Sequence, residues 1–197
     1  MNETIFEDHE ISAAVALITI EESGEFLVVR RSAHPDDPWS YQIALPGGKR
    51  EADESLIDTA TRETFEECGI KLKAPHEKLQ PHIAGRFVNK DLWVQPFLFK
   101  LKQKPTIRLD QSELSAFYWV SEQEFTNEAF HGSKNISSIY PELNFPVFPV
   151  EENYIWGFTY SVLVKYFSKN GSFHLKAQFL KMIEIEKHNF DQDEFIN

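Results

Sequence analysis

The first thirty residues carry the clearest pattern. From Ser12 to Ile20 nearly every position is Ala, Val, Leu or Ile, and after the polar Glu22-Ser23-Gly24 a second apolar run spans Phe26 to Arg30. Short apolar runs bounded by turn residues predict two strands of a hairpin. Arg31 to Gln42, RSAHPDDPWSYQ, has two prolines and no period, which predicts a long loop of the kind that often carries function. Ile43 to Leu45 predicts a short strand running into Pro46-Gly47-Gly48, a turn or bulge. The period becomes helical from Asp53 to Cys68, with Gly69 where a C-terminal cap belongs. Leu79 to Val88 and Leu92 to Lys102 predict a hairpin around Asn89-Lys90-Asp91. Ala116 to Val120 predicts another strand, and Ser121-Glu122-Gln123-Glu124 a capped short helix. His131 to Pro149 is loop-rich with short extended pieces. Tyr154 to Phe167 and Phe173 to His188 predict two amphipathic helices, the last ending in a polar tail. With no internal repeat and no linker composition, the expectation is one α/β domain with a mixed sheet over residues 1–197.

Composition narrows the function classes. The 17 Phe residues read as core mass, which excludes disorder of the whole chain. A formal net charge of −11, with no basic run, repels nucleic-acid polymers and anionic membranes. An anionic ligand would need a local device to attract it, and a bound divalent cation is one. Cys68 is the single cysteine and lies at an apolar helical position, so neither a disulfide within the chain nor a nucleophilic thiol is expected. The N-terminal MNETIFEDHE is acidic and lacks the positive region of a signal peptide. The apolar run Ala13 to Ile20 is too short to span a bilayer. A soluble cytoplasmic protein, monomer or homodimer, is the expectation.

The informative stretch is Gly48 to Ile70, GKREADESLIDTATRETFEECGI. At about 100° per residue, Glu63, Glu66 and Glu67 fall within one arc, and Ile57, Ala60, Thr61, Thr64 and Cys68 occupy a neighbouring arc that can pack on a sheet. Like charges three and four residues apart destabilise a helix, whereas Mg²⁺ or Mn²⁺ reverses the sign by bringing positive charge to oxygen ligands. Arg62 lies four residues before Glu66 and can brace it. Glu-x-x-Glu-Glu alone does not separate a metal face from an ordinary solvated acidic face.

The wider spacing does. Gly48, Glu54, Arg62, Glu63, Glu66, Glu67 and Gly69 match all seven fixed positions of the Nudix box. At roughly 6% usage per residue type, chance gives such a match on the order of once in a million chains, and glutamate enrichment raises that about tenfold. Thr64 stands at an aliphatic position of the box; its hydroxyl can bond back to an i−4 carbonyl and removes no ligand. The chain therefore resembles Nudix hydrolases. Arg31-Ser32, Asp37-Pro38-Trp39-Ser40, Gln42 to Gly48, Val94-Gln95-Pro96-Phe97, Ser112-Glu113, Trp119-Val120 and Ile155 to Thr159 resemble the group described as coenzyme A diphosphatase-like. In that lead-in the spacing from Arg31-Ser32 to Pro46 is longer by one, Asp37 stands at a second arginine, Tyr41 at a glycine and Leu45 at an aromatic.

The resemblance implies a Nudix fold, a mixed sheet sandwiched between helices. It implies that Glu63, Glu66 and Glu67 bind Mg²⁺ or Mn²⁺ with the Gly48 carbonyl, and that Glu54, Arg62 and Gly69 are structural. The expected reaction is hydrolysis of a diphosphate linkage in a nucleoside diphosphate derivative. Glu66, Glu67 and Glu113 are the candidate catalytic carboxylates, Glu113 from a downstream loop. Arg30, Arg31, Lys49, Arg50 and Arg86 are candidates for phosphate contact, and Trp39, Tyr41 and Phe87 for stacking on a base. Coenzyme A or an acyl-CoA, ADP-ribose, another nucleoside diphosphate sugar and a dinucleotide polyphosphate would all use the same catalytic face. A Nudix-fold binding protein without catalysis is the rival from another class.

Overall fold

Strand formation follows the apolar runs. The computed structural model describes residues 11–35, 37, 39–87, 90–136 and 144–169, with backbone alone at 85–87, 90 and 91. In chain order it contains β1 (Ala13–Ile20), β2 (Glu25–Arg31), β3 (Ile43–Ala44), β4 (Gly47–Lys49), α1 (Leu56–Cys68), β5 (Glu77–Lys78), β6 (His82–Phe87), β7 (Lys90–Leu101) and β8 (Leu114–Ser121). These are followed by α2 (Glu122–Phe125), a 3-10 turn (Glu128–Phe130), β9 (Gly132–Lys134), β10 (Phe145–Val150), β11 (Asn153–Ile155) and α3 (Gly157–Lys169). The elements form two compact units, Met1–Ser121 and Glu122–Asn197.

In the first unit β1 organises the sheet. It pairs in parallel with β7 along its whole length, from Ala13–Val94 to Ile20–Leu101. Its other edge pairs antiparallel with β2 at Thr19 and Ile20, and with β4 at Ala13, Ala14 and Val15. Every residue of β1 is buried, as expected for a strand covered on both faces. Strand β2 also pairs with β3 and β8, so the sheet is mixed, as the sequence predicts. Ala14, Ala16 and Ile18 of β1, Leu27 and Val29 of β2, and Phe97 and Phe99 of β7 form the core with Leu56, Ala60 and Cys68 of α1. Small residues at 14, 16 and 60 let the helix approach the sheet closely.

Several boundaries differ from the sequence pattern, three of them with a clear physical cause. The helix starts at Leu56 rather than Asp53, because Asp53 is left-handed (φ 63°) and Ser55 caps, accepting from the Asp58 N–H. Gly47-Gly48 is a strand, since pairing with β1 supplies what a local turn reading cannot see. Tyr154 belongs to β11, which pairs with β10, so α3 starts only at Gly157, itself left-handed at φ 54°. The hairpin of β6 and β7 is present; Val88 and Asn89 of its turn, and the helix expected over 173–188, lie outside the described residues. No described helix is long and apolar enough to cross a membrane.

The second unit is pinned by a half-buried imidazole. His131 Nε2 lies 2.6 Å from the Phe125 carbonyl and Nδ1 2.7 Å from the Tyr160 hydroxyl. A carbonyl only accepts, so Nε2 carries the proton and Nδ1 accepts from Tyr160. Phe125 packs against the rings of His131 at 5.2 Å, Phe148 at 5.0 Å and Phe167 at 5.5 Å. Burial lowers the His131 pKa below its ordinary 6.5, against the raising effects of the Phe125 carbonyl and Glu128. The unfolded chain then binds the extra proton first, so the stability this group contributes is complete above pH 6.5 and is lost as pH falls below it. Chemical denaturation should show this loss between pH 7 and 5, and Tyr160→Phe should destabilise by about 1–3 kcal/mol at pH 7 by orphaning Nδ1.

Candidate functional site

The site is built where α1 faces the β4 end of the sheet. Helix α1 is fixed at both ends: Ser55 caps its start, and left-handed Gly69 (φ 70°) donates from its N–H to the Phe65 carbonyl. Thr64 donates to the Ala60 carbonyl at 2.6 Å, the i−4 bond its position predicts. The buried side of the helix carries Leu56, Thr59, Ala60, Thr64, Glu67 and Cys68, so Glu67 lies on the core side rather than on a solvent face.

One arginine braces the box. Arg62 holds Glu54 at two points, Nε to Oε1 at 2.8 Å and Nη2 to Oε2 at 3.1 Å. Its Nη1 donates to Glu63 Oε1 and Glu66 Oε2, both at 2.9 Å, and Nη2 also reaches the Lys49 carbonyl at 3.2 Å. The Arg62 guanidinium holds the Glu54 carboxyl down at about 2, helped by Thr59 and the Glu51 N–H against burial. The resemblance implies structural roles for Glu54 and Arg62, and their contacts tether the loop before α1 to the helix.

Glu63, Glu67 and Glu113 come together, each with a carboxylate oxygen within 4.8 Å of the others. Glu67 is 3% exposed, and burial pushes its carboxyl up to about 8. The Gly47 N–H, donating to Oε2 at 2.9 Å, opposes that rise, while the charges of Glu63 and Glu113 add to it and that of Arg31 counters it. Burial likewise raises Glu63, against Arg62. Glu66 is half exposed and engaged with Arg62, outside the trio. Gly48 leaves room for Glu63: a Cβ would sit 2.5–2.6 Å from the Glu63 carboxylate and displace it. Gly47 has a different reason, with φ 143° and a Cβ that would meet the Ala14 carbonyl oxygen at 2.3 Å.

Glu113 reaches the helix by loop geometry that no residue period announces. The chain at 108–110 lies along the end of α1, with Arg108 N–H on the Cys68 carbonyl and Asp110 N–H on the Glu67 carbonyl. Asp110 Oδ1 accepts from the Ser112 N–H and hydroxyl, turning the chain, and the Ser32 N–H holds the Glu113 carbonyl at 2.8 Å. The register of β2 and β8 then slips between Arg30 and Arg31, leaving Ser115 as the extra residue.

The candidate cations are dispersed. Arg31 pairs with Asp37, Arg30 donates to Ser115 Oγ at 2.8 Å, and Arg50 donates to the Glu54 carbonyl at 2.5 Å. Lys49 is exposed at the end of β4, and the side chain of Arg86 lies outside the described residues, as does that of Phe87. Tyr41 is 60% exposed, and Trp39 is partly buried with its N–H on Asp37. Cys68 is buried, and its thiol is pushed up to about 12 by burial and the Glu67 charge, as an inert core residue should be.

A family model described as the NUDIX domain matches residues 10–143, across the boundary between the two units. An uncharacterized protein of Schizosaccharomyces pombe is 37% identical over 47% of this chain, a match spanning 30% of that protein. Phosphatase NudJ of Escherichia coli K12 is 30% identical over 61% of this chain and 72% of its own length. Among solved structures, a MutT/nudix family protein from Enterococcus faecalis is 16% identical and aligns over 93% of this chain and 70% of that one with a TM-score of 0.59.

The two glycines separate stability from site geometry. Gly48→Ala displaces only the tip of a flexible glutamate, so stability should change by less than about 1 kcal/mol while Mn²⁺ affinity falls about tenfold or more. Gly47→Ala meets backbone and should destabilise by about 2–4 kcal/mol. Calorimetric Mn²⁺ titration beside denaturant unfolding checks both.

Proposed function

We propose that this chain, which belongs to the NUDIX domain family, is a metal-dependent pyrophosphohydrolase that cuts the diphosphate linkage of a nucleoside diphosphate derivative. The observation that carries this reading is the convergence of Glu63, Glu67 and Glu113 within 4.8 Å. Three carboxylates in a partly buried corner suit a hard divalent cation, Mg²⁺ or Mn²⁺, and suit nothing anionic without one. The Gly48 approach to Glu63, where any Cβ would intrude, fits the same purpose.

Glu63 and Glu67 would hold the cation with the Gly48 carbonyl, and Glu66 would join them from its place beside Arg62. Bound there, the cation supplies charge neutralisation on the diphosphate oxygens and lowers the pKa of water. Glu113, more exposed than the other two, accepts the proton of the attacking water as its oxygen bonds to phosphorus and the bridging P–O bond breaks. The phosphate of the departing half carries away the bond's electron pair. In this reading Arg31, Lys49 and Arg50 would meet the substrate phosphates, while Arg30 is engaged with Ser115. Both compact units belong to one Nudix domain in this reading, since the family match crosses Ser121.

NudJ carries the name phosphatase, which accords with hydrolysis at phosphorus. Within the diphosphate class, Arg31-Ser32 and the stretch to Gly48 support coenzyme A or an acyl-CoA, while Asp37 in place of a second arginine removes a cation from that recognition. A screen of coenzyme A, ADP-ribose, a nucleoside diphosphate sugar and a dinucleotide polyphosphate with Mg²⁺ or Mn²⁺ separates them. Glu67→Gln removes a charged ligand at constant volume, so kcat on the best substrate should fall by about a hundredfold or more with folding intact. Chromatographic product analysis reads this out. Near-wild-type kcat in that variant contradicts the assignment, and nucleotide binding without turnover of any diphosphate marks a non-catalytic binder.

A further inference from the structure

Asp37 lies in the loop between β2 and β3 and is the hub of the described part of that loop. Its Oδ2 accepts from Arg31 Nε at 2.8 Å and lies 2.8 Å from Arg31 Nη2. Its Oδ1 accepts from the Trp39 N–H at 3.0 Å, so both oxygens are engaged. The backbone on either side is closed as well: Asp37 N–H donates to the His34 carbonyl, and Ser40 donates to the Asp37 carbonyl from both its N–H and its hydroxyl. The Ser40 hydroxyl also accepts from the His34 N–H, and the Arg31 N–H closes the loop base on the Gln42 carbonyl. The Asp37 side chain is 14% exposed and that of Arg31 34%.

This arrangement fixes the direction of a guanidinium. Leu27, Val29 and Arg31 alternate onto one face of β2, the face that packs against α1. Arg31 is close enough to Glu67 for its charge to lower that carboxyl, and the Ser32 N–H beside it holds Glu113. Asp37 occupies the Nε–Nη2 edge, and among the described residues no partner takes the Nη1 edge, which would serve an external acceptor. A lone flexible arginine would fold onto the nearest carboxylates of the trio and neutralise them itself. An arginine anchored by Asp37 is kept off them and offers a preformed fork to an anion.

We propose that Asp37 is a positioning residue: through the Arg31 guanidinium it sets the site's affinity for the phosphates of a nucleoside diphosphate. This rests on the functional reading above. It predicts that Asp37 acts only through Arg31, whereas a merely structural loop residue acts independently of it.

The test is a double-mutant cycle on full-length protein: wild type, Asp37→Asn, Arg31→Ala and the double variant, with Asp37→Glu as the conservative rescue. Calorimetry measures ADP binding with Mn²⁺ present and Mn²⁺ binding alone, and steady-state kinetics follow the best diphosphate substrate. Arg31→Ala should weaken ADP binding about tenfold and Asp37→Asn about fivefold, with Asp37→Asn adding less than about twofold in the Arg31→Ala background. Asp37→Glu should recover part of the loss, KM should rise more than kcat falls, and Mn²⁺ affinity should hold. An Asp37→Asn effect of the same size with and without Arg31, or none at all, overturns the proposal. If Asp37→Asn unfolds, Asp37→Glu and Arg31→Lys complete the cycle under the same criterion. Wild type that binds no ADP and hydrolyses no diphosphate overturns the functional reading and this proposal with it, whereas active wild type with an uncoupled cycle overturns this proposal alone.

Discussion

Like charges gathered out of water set the terms for everything around them. Two carboxylates about 5 Å apart at an effective dielectric of about 20 repel by about 3 kcal/mol, and burial adds a desolvation cost. At Glu67 burial raises the carboxyl to about 8, and the charges of Glu63 and Glu113 add to that rise. The sheet, the helix caps and the downstream loop all converge on that corner. Under the function proposed above, the three carboxylates of that cluster suit a hard cation of opposite charge.

Support for the cluster comes from groups that do not themselves belong to it. Arg62 joins Glu54 to Glu63 and Glu66, so a single guanidinium locks the loop before α1 to the face that carries these glutamates. Gly47 and Gly48 are adjacent and serve different needs. One brings an N–H to the most buried carboxylate, and the other leaves room for its neighbour. The extra residue Ser115 and the Asp110 turn then deliver Glu113 from far along the chain. Rigid elements thus supply two of the three carboxylates, and a braced loop supplies the third.

What could be read from the sequence was what depends on local spacing. The helix and its glycine cap, the Thr64 back-bond and the Arg62 contact with Glu66 are consequences of residues three to eight positions apart. Glu113 was legible only through resemblance, because its approach to α1 depends on tertiary hydrogen bonds to Ser32 and on a strand bulge. The strand at Gly47–Lys49 was not legible, since two glycines signal a turn until β1 is present to pair with them. Glu66 shows the limit of helical geometry: the arc groups it with Glu63 and Glu67, yet it is Glu113 that converges with those two. The role of Asp37 was hidden for the same reason, its partner being fixed by how the loop closes.

The central claim is that this carboxylate corner is relieved by a divalent cation. The direct measurement is thermal unfolding with and without Mn²⁺, on wild type and on the Glu63→Gln/Glu67→Gln double variant. Binding at a hundredfold excess over Kd stabilises by about 2.7 kcal/mol, which for a chain of this size raises Tm by about 5–10 °C. The account predicts that rise in wild type and its absence in the double variant, whose metal-free Tm should equal or exceed that of metal-free wild type. A wild-type Tm unmoved by millimolar Mn²⁺, or an equal rise in both proteins, contradicts it.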